Sequence, residues 1–260
     1  MNDRHRALLH LGWLLFLRDF RYRYRQSYLG YLWAVSRVLL GGIPIILVGS
    51  HFDLGAGRTP VAYAVYALTG YILWQIFWDS VISPQWIGRR LRKIVAEVPF
   101  RLEALLVAAG CYVAFNTSIY MVLLTLAFLI FKVAPPVTLL LGLAVLPLLV
   151  LAGLAIGAAL VPLTYVYLDF RFGLPFLASA LLWTAPIFYV SPEAGILRVI
   201  NMWNPLTYII DLPRSWFIAG LSGRDVLFVP CILAFIGLFT VGLRFYYRAM
   251  PAAVQTLSRA

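Results

Sequence analysis

Residues 138–166 read TLLLGLAVLPLLVLAGLAIGAALVPLTYV, 29 positions without one charged side chain. A helix needs ~20 mainly apolar residues to cross the hydrocarbon core of a bilayer. This stretch exceeds that length, and the rest of the chain repeats the pattern. Apolar runs at 28–49, 61–83, 103–131, 174–190 and 225–246 complete a set of six expected spans. The third and fourth are longer than a bilayer requires, so they are expected to tilt or to project beyond it. Pro135-Pro136, just after Lys132, marks the tight turn that joins them. Gly153 and Gly157 stand one helical turn apart, a small-x-x-x-small step suited to close helix packing.

The totals agree with that reading. Of 260 residues, 63% are hydrophobic and 12% are charged, against the ~25% charged of a soluble domain. A soluble fold of this length has too little interior to hide so much apolar surface. The expected class is an all-α integral membrane protein, a single domain over 1–260. Cys111 and Cys231 sit far apart inside apolar runs, and His5, His10 and His51 are scattered. Neither set has the spacing of a disulfide framework or of a metal site. Leu11 to Leu17 is apolar but too short to span, and it runs into Arg18-Asp19-Phe20-Arg21 instead of a small-residue cleavage site. No cleavable signal peptide is expected there.

The net charge of +11 is distributed by side. Arg4, Arg6, Arg18, Arg21, Arg23 and Arg25 precede the first span, and Arg89, Arg90, Arg92, Lys93 and Arg101 follow the second. With Arg171, Arg244, Arg248 and Arg259, fifteen of the twenty-one Lys and Arg residues fall on one side. The opposite side holds Arg58, Lys132, Arg198, Arg214 and Arg224. Positive residues collect on the cytoplasmic side of membrane proteins, so both termini are expected in the cytoplasm. The basic balance is then a topology signal, and no nucleic-acid partner is implied.

Three segments between the spans are distinctive. Residues 7–24 carry Leu8, Leu11, Trp13, Leu15, Phe16 and Phe20 ahead of Arg21-Tyr22-Arg23-Tyr24-Arg25. That is the composition of a helix lying in the membrane interface. In the loop 84–101, Pro84 is expected to break span two, leaving a short basic helix over Gly88 to Glu97 that ends at Pro99. It is either a plain positive-inside loop or a lever for another protein. The external stretch 191–223 is too apolar to be a solvated loop, yet Pro205 and Pro213 cut it into pieces too short to cross. A re-entrant helical hairpin satisfies both facts, because irregular backbone at membrane depth survives only when buried in protein or lining a cavity.

Intramembrane charge is sparse. Arg37 lies about nine residues into span one, ~13 Å deep at 1.5 Å per residue, and Asp79 lies near the end of span two. Asp79 suits a structural role; for Arg37 a structural and a pathway-lining role stand level. No chain of Asp, Glu and His threads the spans, and no internal repeat is evident, which argues against an ion-coupled carrier. The chain has no His-Glu-x-x-His, no Gly-x-Ser-x-Gly and no Walker loop; its two lysines, Lys93 and Lys132, follow no phosphate-cradling glycines. It is expected to bind no cofactor or metal and to be no enzyme itself. Uphill transport would need ATP hydrolysed on another polypeptide. Two aromatic rows stand out, Tyr63, Tyr66 and Phe77 with Trp74 in span two, and Phe172, Phe176 and Trp183 in span five. Helix packing explains such rings, and so does a conduit whose ring faces stack on sugars.

Arg18-Asp19-Phe20-Arg21-Tyr22-Arg23-Tyr24-Arg25-Gln26-Ser27-Tyr28-Leu29-Gly30-Tyr31-Leu32-Trp33 resembles the opening signature of ABC-2 type permeases of the polysaccharide exporter family. That family includes the O-antigen, capsule and teichoic-acid exporters. Val98-Pro99-Phe100, Asp169-Phe170-Arg171 and Asn204-Pro205-Leu206-Thr207 extend the likeness in the same order along the chain. The resemblance implies a homodimer of six-span subunits in the bacterial inner membrane, with two copies of a separate ATPase subunit beneath. The substrate it implies is a lipid-linked glycan. It assigns coupling contacts to the loops 84–101 (Arg89, Arg90, Arg92, Lys93, Glu97) and 167–173 (Asp169, Arg171). It assigns an interface helix with Arg18, Arg21, Arg23 and Arg25, and a substrate pathway with Tyr31, Trp33, Arg37, Phe176, Trp183 and Tyr189. Two departures stand out: Arg37-Val38 where the family commonly has Gln-Pro, and Arg101-Leu102-Glu103 where it tends to have Pro-Arg-Glu. Export of a drug or simple lipid by the same architecture is one alternative. A passive channel or a membrane-embedded enzyme is another.

Overall fold

The computed structural model describes residues 3–24, 32–51, 59–91, 101–167, 169–192 and 194–258. Among these the secondary structure is helical throughout: α1 (Asp3–Tyr24), α2 (Leu32–His51), α3 (Tyr63–Arg90), α4 (Glu103–Ile130), α5 (Leu139–Val166), α6 (Asp169–Thr184), α7 (Ile196–Trp203), α8 (Pro205–Ile218) and α9 (Phe228–Ser258), with a 3₁₀ turn at Asp225–Leu227. Among the described residues, three stretches are long and apolar enough to cross a membrane: Glu103–Ile130, Leu139–Val166 and Asp225–Ala253. Val38–Gly49 and Phe172–Thr184 are shorter apolar helices.

The centre of the bundle is α3, whose side chains from Val65 to Gly88 are largely buried. It is the least apolar of the four helices of 28 residues or more, and its neighbours bury it on all sides. Glycine sets how close they come. On α5, a Cβ added to Gly153 would lie 2.5 Å from the Phe77 carbonyl, and one added to Gly157 would lie 2.8 Å from that of Val81. The two residues thus form the close-packing step that their spacing predicts. Further along the same pair of helices, Gly88 of α3 faces Tyr165 of α5, so the two run in the same direction. Gly242 of α9 meets the Ala155 carbonyl on the other flank of α5.

These contacts divide the core between two ends. At one end Ile87, Leu91, Ala104, Leu105, Val161, Tyr246 and Met250 pack together with Leu15 and Phe16 of α1. Towards the other end Tyr66, Trp74, Phe77, Tyr120, Leu149, Phe217 and Phe235 form a larger cluster. The first end also carries Arg89, Arg90, Arg101, Arg244 and Arg248, and is called here the basic end. Gly12 of α1 sits against the Ala104 carbonyl, and Tyr246 of α9 donates to the Leu102 carbonyl at 2.9 Å. The first and last helices therefore meet the bundle at the same end.

Two expectations about proline need correction. Pro84 does not break the second run, because α3 continues through it to Arg90. Proline deprives the Ser80 carbonyl of its helical donor. Gly157 of α5 packs against this point, close to the Pro84 ring, and its carbonyl accepts from Gln85 Nε2 at 3.2 Å. Pro213 does not cut the external stretch either, since it lies inside α8. Pro205 does mark a start: it occupies the first turn of α8, and Asn204 caps that helix by accepting from Leu206 N–H at 3.0 Å.

The fifth run, expected over 174–190, is helical only to Thr184. Pro186 disfavours helix at Ala185 and supplies no donor. The chain from Ala185 to Phe188 folds into a buried turn instead. The turn between α4 and α5 is where Pro135-Pro136 predicts it. Lys132 takes a left-handed conformation (φ 51°), and Val133 N–H closes back on the Phe128 carbonyl at 3.0 Å.

Candidate functional site at the basic end

The basic end is built around α1. Leu8, Leu11, Leu15, Phe16 and Phe20 form the apolar face expected of it, and that face is covered by α4. Phe20 meets Phe115 edge-on at 4.8 Å, and Gly12 admits Val107 at close range. Leu9 and Leu14 on the other side are exposed; Trp13, expected on the apolar face, is also exposed, with its ring 5.3 Å from that of Phe16. Arg18 and Arg21 are exposed.

The helix is fastened by charge as well as by packing. Asp19 is buried, and Arg90 Nη1 donates to both its carboxylate oxygens at 3.0 and 2.8 Å. Arg89 and Arg90 also lie over the Trp86 ring, 5.6 and 5.7 Å from its centroid. Arg90 thus joins α1 to the last turn of α3. The resemblance assigns Arg90 to coupling, but sequence reasoning missed Asp19 as its partner, because 71 positions separate the two. The one local signal was an acidic residue inside a run of arginines.

The second loop assigned to coupling emerges beside the first. Tyr165, one residue from the end of α5, lies against Gly88, so the exit of α3 and the exit of α5 are neighbours. Asp169 begins α6 just beyond and is exposed. Arg101 and Glu103 pair at 3.0 Å at the start of α4. Arg25, Tyr31, Arg92, Lys93 and Glu97 lie outside the described residues, as do the side chains of Arg23, Trp33, Arg37 and Arg171.

No protein-family model and no curated protein matches this chain. The assignment of its function therefore rests on its own residues.

The expected pathway residues do not form one group. Phe176 and Trp183 of α6 are 78% and 58% exposed, and the Trp183 ring meets that of Phe188 at 6.1 Å. Tyr189 instead belongs to the far end, donating to the Thr184 carbonyl and to Asn201 Oδ1, both at 3.2 Å. The span-two aromatics behave differently: Tyr66, Trp74 and Phe77 are buried in the core, which is the packing explanation. Asp79 is structural, as its position suggests. It is buried, and its Oδ2 accepts from Asn116 Nδ2 at 2.7 Å and from Tyr120 OH at 2.8 Å. Among the described residues, no group of three His, Cys, Asp or Glu side chains is placed to hold a metal ion.

Proposed function

We propose that the chain is the transmembrane subunit of an ABC exporter for a lipid-linked polysaccharide, powered by ATP hydrolysis on a separate subunit. In this reading α2, α3, α4, α5, α6 and α9 are six spans in a bacterial inner membrane, with both termini in the cytoplasm. The basic end faces the cytoplasm, and α7 and α8 form the external hairpin. Two copies of the chain enclose the pathway, and two ATPase subunits sit beneath them.

The observation that carries the reading is the adjacency of Gly88 and Tyr165. It brings both assigned coupling segments out of the bundle side by side, next to an α1 held by the Asp19–Arg90 pair. A motor subunit pressing on that surface would move α3, α5 and α1 together. The largely exposed Phe176 and half-exposed Trp183 add weight, since α6 presents aromatic surface outward.

Purification with a candidate ATPase subunit, followed by reconstitution, tests the proposal. The expected result is a complex of two chains and two ATPases in which hydrolysis and glycan export rise together. Arg92→Ala and Glu97→Ala should leave hydrolysis while abolishing export. Glycan export by the chain alone would overturn the reading. So would normal export in both variants for the loop, and export of a drug with no glycan for the substrate.

A further inference from the structure

Asp225 and Arg244 bracket residues 226–243, which hold no charged side chain. As helix that stretch is ~27 Å long at 1.5 Å per residue, close to the ~30 Å hydrocarbon thickness of a bilayer. Arg244 is thus the first charged group of α9 at the basic end, and it stands at the level of lipid phosphates in a membrane that α9 crosses. Arg248 follows one turn further along the same side, and both are exposed.

The surface of α9 leads into this pair. Ile232, Phe235, Tyr246 and Met250 are buried against the bundle, whereas Val229, Leu233 and Ile236 on the opposite side are exposed. Helical spacing puts that open apolar stripe on the face that carries Arg244, Tyr247 and Arg248. The charge of the pair is not cancelled locally. Tyr247 donates to the carboxylate of Glu103, but that carboxylate is already paired with Arg101 at 3.0 Å. Among the described residues neither Arg244 nor Arg248 pairs with an acid.

An apolar stripe that ends in a tyrosine and two uncompensated arginines fits a lipid, tail and headgroup together. An acidic protein or a nucleic acid would meet the arginines and leave the stripe bare. We propose that Arg244 and Arg248 hold the phosphate of an anionic phospholipid whose acyl chains lie along Ile236 and Leu233. Guanidinium donors match phosphate oxygens in paired geometry. A zwitterionic headgroup brings its own cation to that phosphate, so a lipid of net negative charge is favoured. The inference rests on α9 crossing a membrane, and on neither motor nor glycan.

The test uses the purified full chain in neutral detergent, without any ATPase. Lipid binding is read by native mass spectrometry and by thermal melting. Phosphatidylglycerol should be retained and should raise the melting temperature, with phosphatidylcholine and free glycerol 1-phosphate much weaker. Arg244→Gln with Arg248→Gln should lower phosphatidylglycerol affinity about tenfold, without moving the melting temperature of the lipid-free chain. Lys132→Gln with Arg224→Gln removes the same charge from exposed positions at the other end, and should bind phosphatidylglycerol like the unaltered chain. Full retention in the Arg244 and Arg248 variant would overturn the proposal. Equal loss in the Lys132 and Arg224 variant would reduce the effect to net charge, and equal binding of glycerol 1-phosphate would make the ligand a soluble phosphate; either result overturns it too. A chain that stays out of phosphatidylglycerol vesicles altogether would overturn the spanning reading beneath it.

Discussion

The guanidinium of Arg214 lies over the ring of Tyr66, 3.8 Å from its centroid, in the interior of the bundle. Arg214 is 1% exposed and donates through Nη1 to the carbonyls of Pro186 and Ile187 at 2.8 and 2.9 Å, while Nη2 pairs with Asp211. The irregular turn after α6 is buried, so its carbonyls need donors. A single arginine supplies them, and at the same time it fastens α8 to α3.

Replacing that arginine should therefore unlatch three elements at once. Arg214→Ala leaves two buried carbonyls and Asp211 without their donor, and is expected to cost about 3–5 kcal/mol. Arg214→Lys keeps the charge but loses the planar stack and the forked donors, so it should fall between. Asp211→Asn removes the counter-charge of the buried guanidinium but keeps an oxygen acceptor beside it, so it should cost less than Arg214→Ala. Thermal melting of the purified variants ranks them. Equal melting of Arg214→Ala and Asp211→Asn would refute the latch.

The close step between α5 and α3 makes a second, paired prediction. Backbone carbonyls lie where a Cβ on Gly153 or Gly157 would go, and a backbone cannot rotate away as a side chain can. Gly153→Ala and Gly157→Ala should each destabilise by about 1–3 kcal/mol through forced separation of the helices. Gly237 in α9 has nothing within 4 Å. Gly237→Ala should be neutral or stabilising by up to about 1 kcal/mol, because alanine is the better helix former. Melting temperatures that do not separate the two classes would sink the packing account.

How much of this was legible in sequence follows from the range of the forces involved. The α5 helix was legible to within one residue at its start, since an uncharged run of that length has few alternatives. Gly153 and Gly157 were legible because helical spacing puts both on one face. The course of α3 through Pro84 was not, because proline locally disfavours helix and the α5 surface that packs there, at Gly157, stands 73 positions away. Arg214 read as one of the external charges, set between Pro213 and Ser215 near Asp211. Its burial depends on carbonyls contributed by Pro186 and Ile187, which no local pattern reveals. At the basic end the arginines were legible as a cluster, whereas the choice of Arg90 as the one that holds Asp19 required the packing of α1 on α4.

The carboxylate of Asp79 anchors α3 to α4 through two donors of different kinds. Tyr120→Phe removes one hydroxyl with little change in shape and should cost about 1.5–3 kcal/mol, the range for bonds to a charged acceptor. Asn116→Ala removes the other and leaves a small void as well. Because both bonds end on one oxygen, either donor partly covers the loss of the other, so the double variant should cost more than the sum of the two. Additive losses in a double-mutant cycle would mean that the donors act independently, contrary to this geometry.

Asp19 and Arg90 offer the sharpest separation of structure from function. The pair is partly open to solvent at Arg90, so breaking it should cost only about 1–2 kcal/mol. Asp19→Asn should leave the bundle folded but raise hydrogen exchange and proteolysis within α1, which loses its charged tether to α3. Exchanging the two, Asp19→Arg with Arg90→Asp, should restore protection, because the pair is reformed with its sign reversed. If α1 transmits motion from a motor subunit, Asp19→Asn should also lower export per ATP hydrolysed, and the exchange should recover it. Restored protection without restored coupling would assign the pair to holding α1 in place alone. Unchanged protection in Asp19→Asn would show that the apolar face against Val107 and Phe115 suffices, and would remove the pair from both roles.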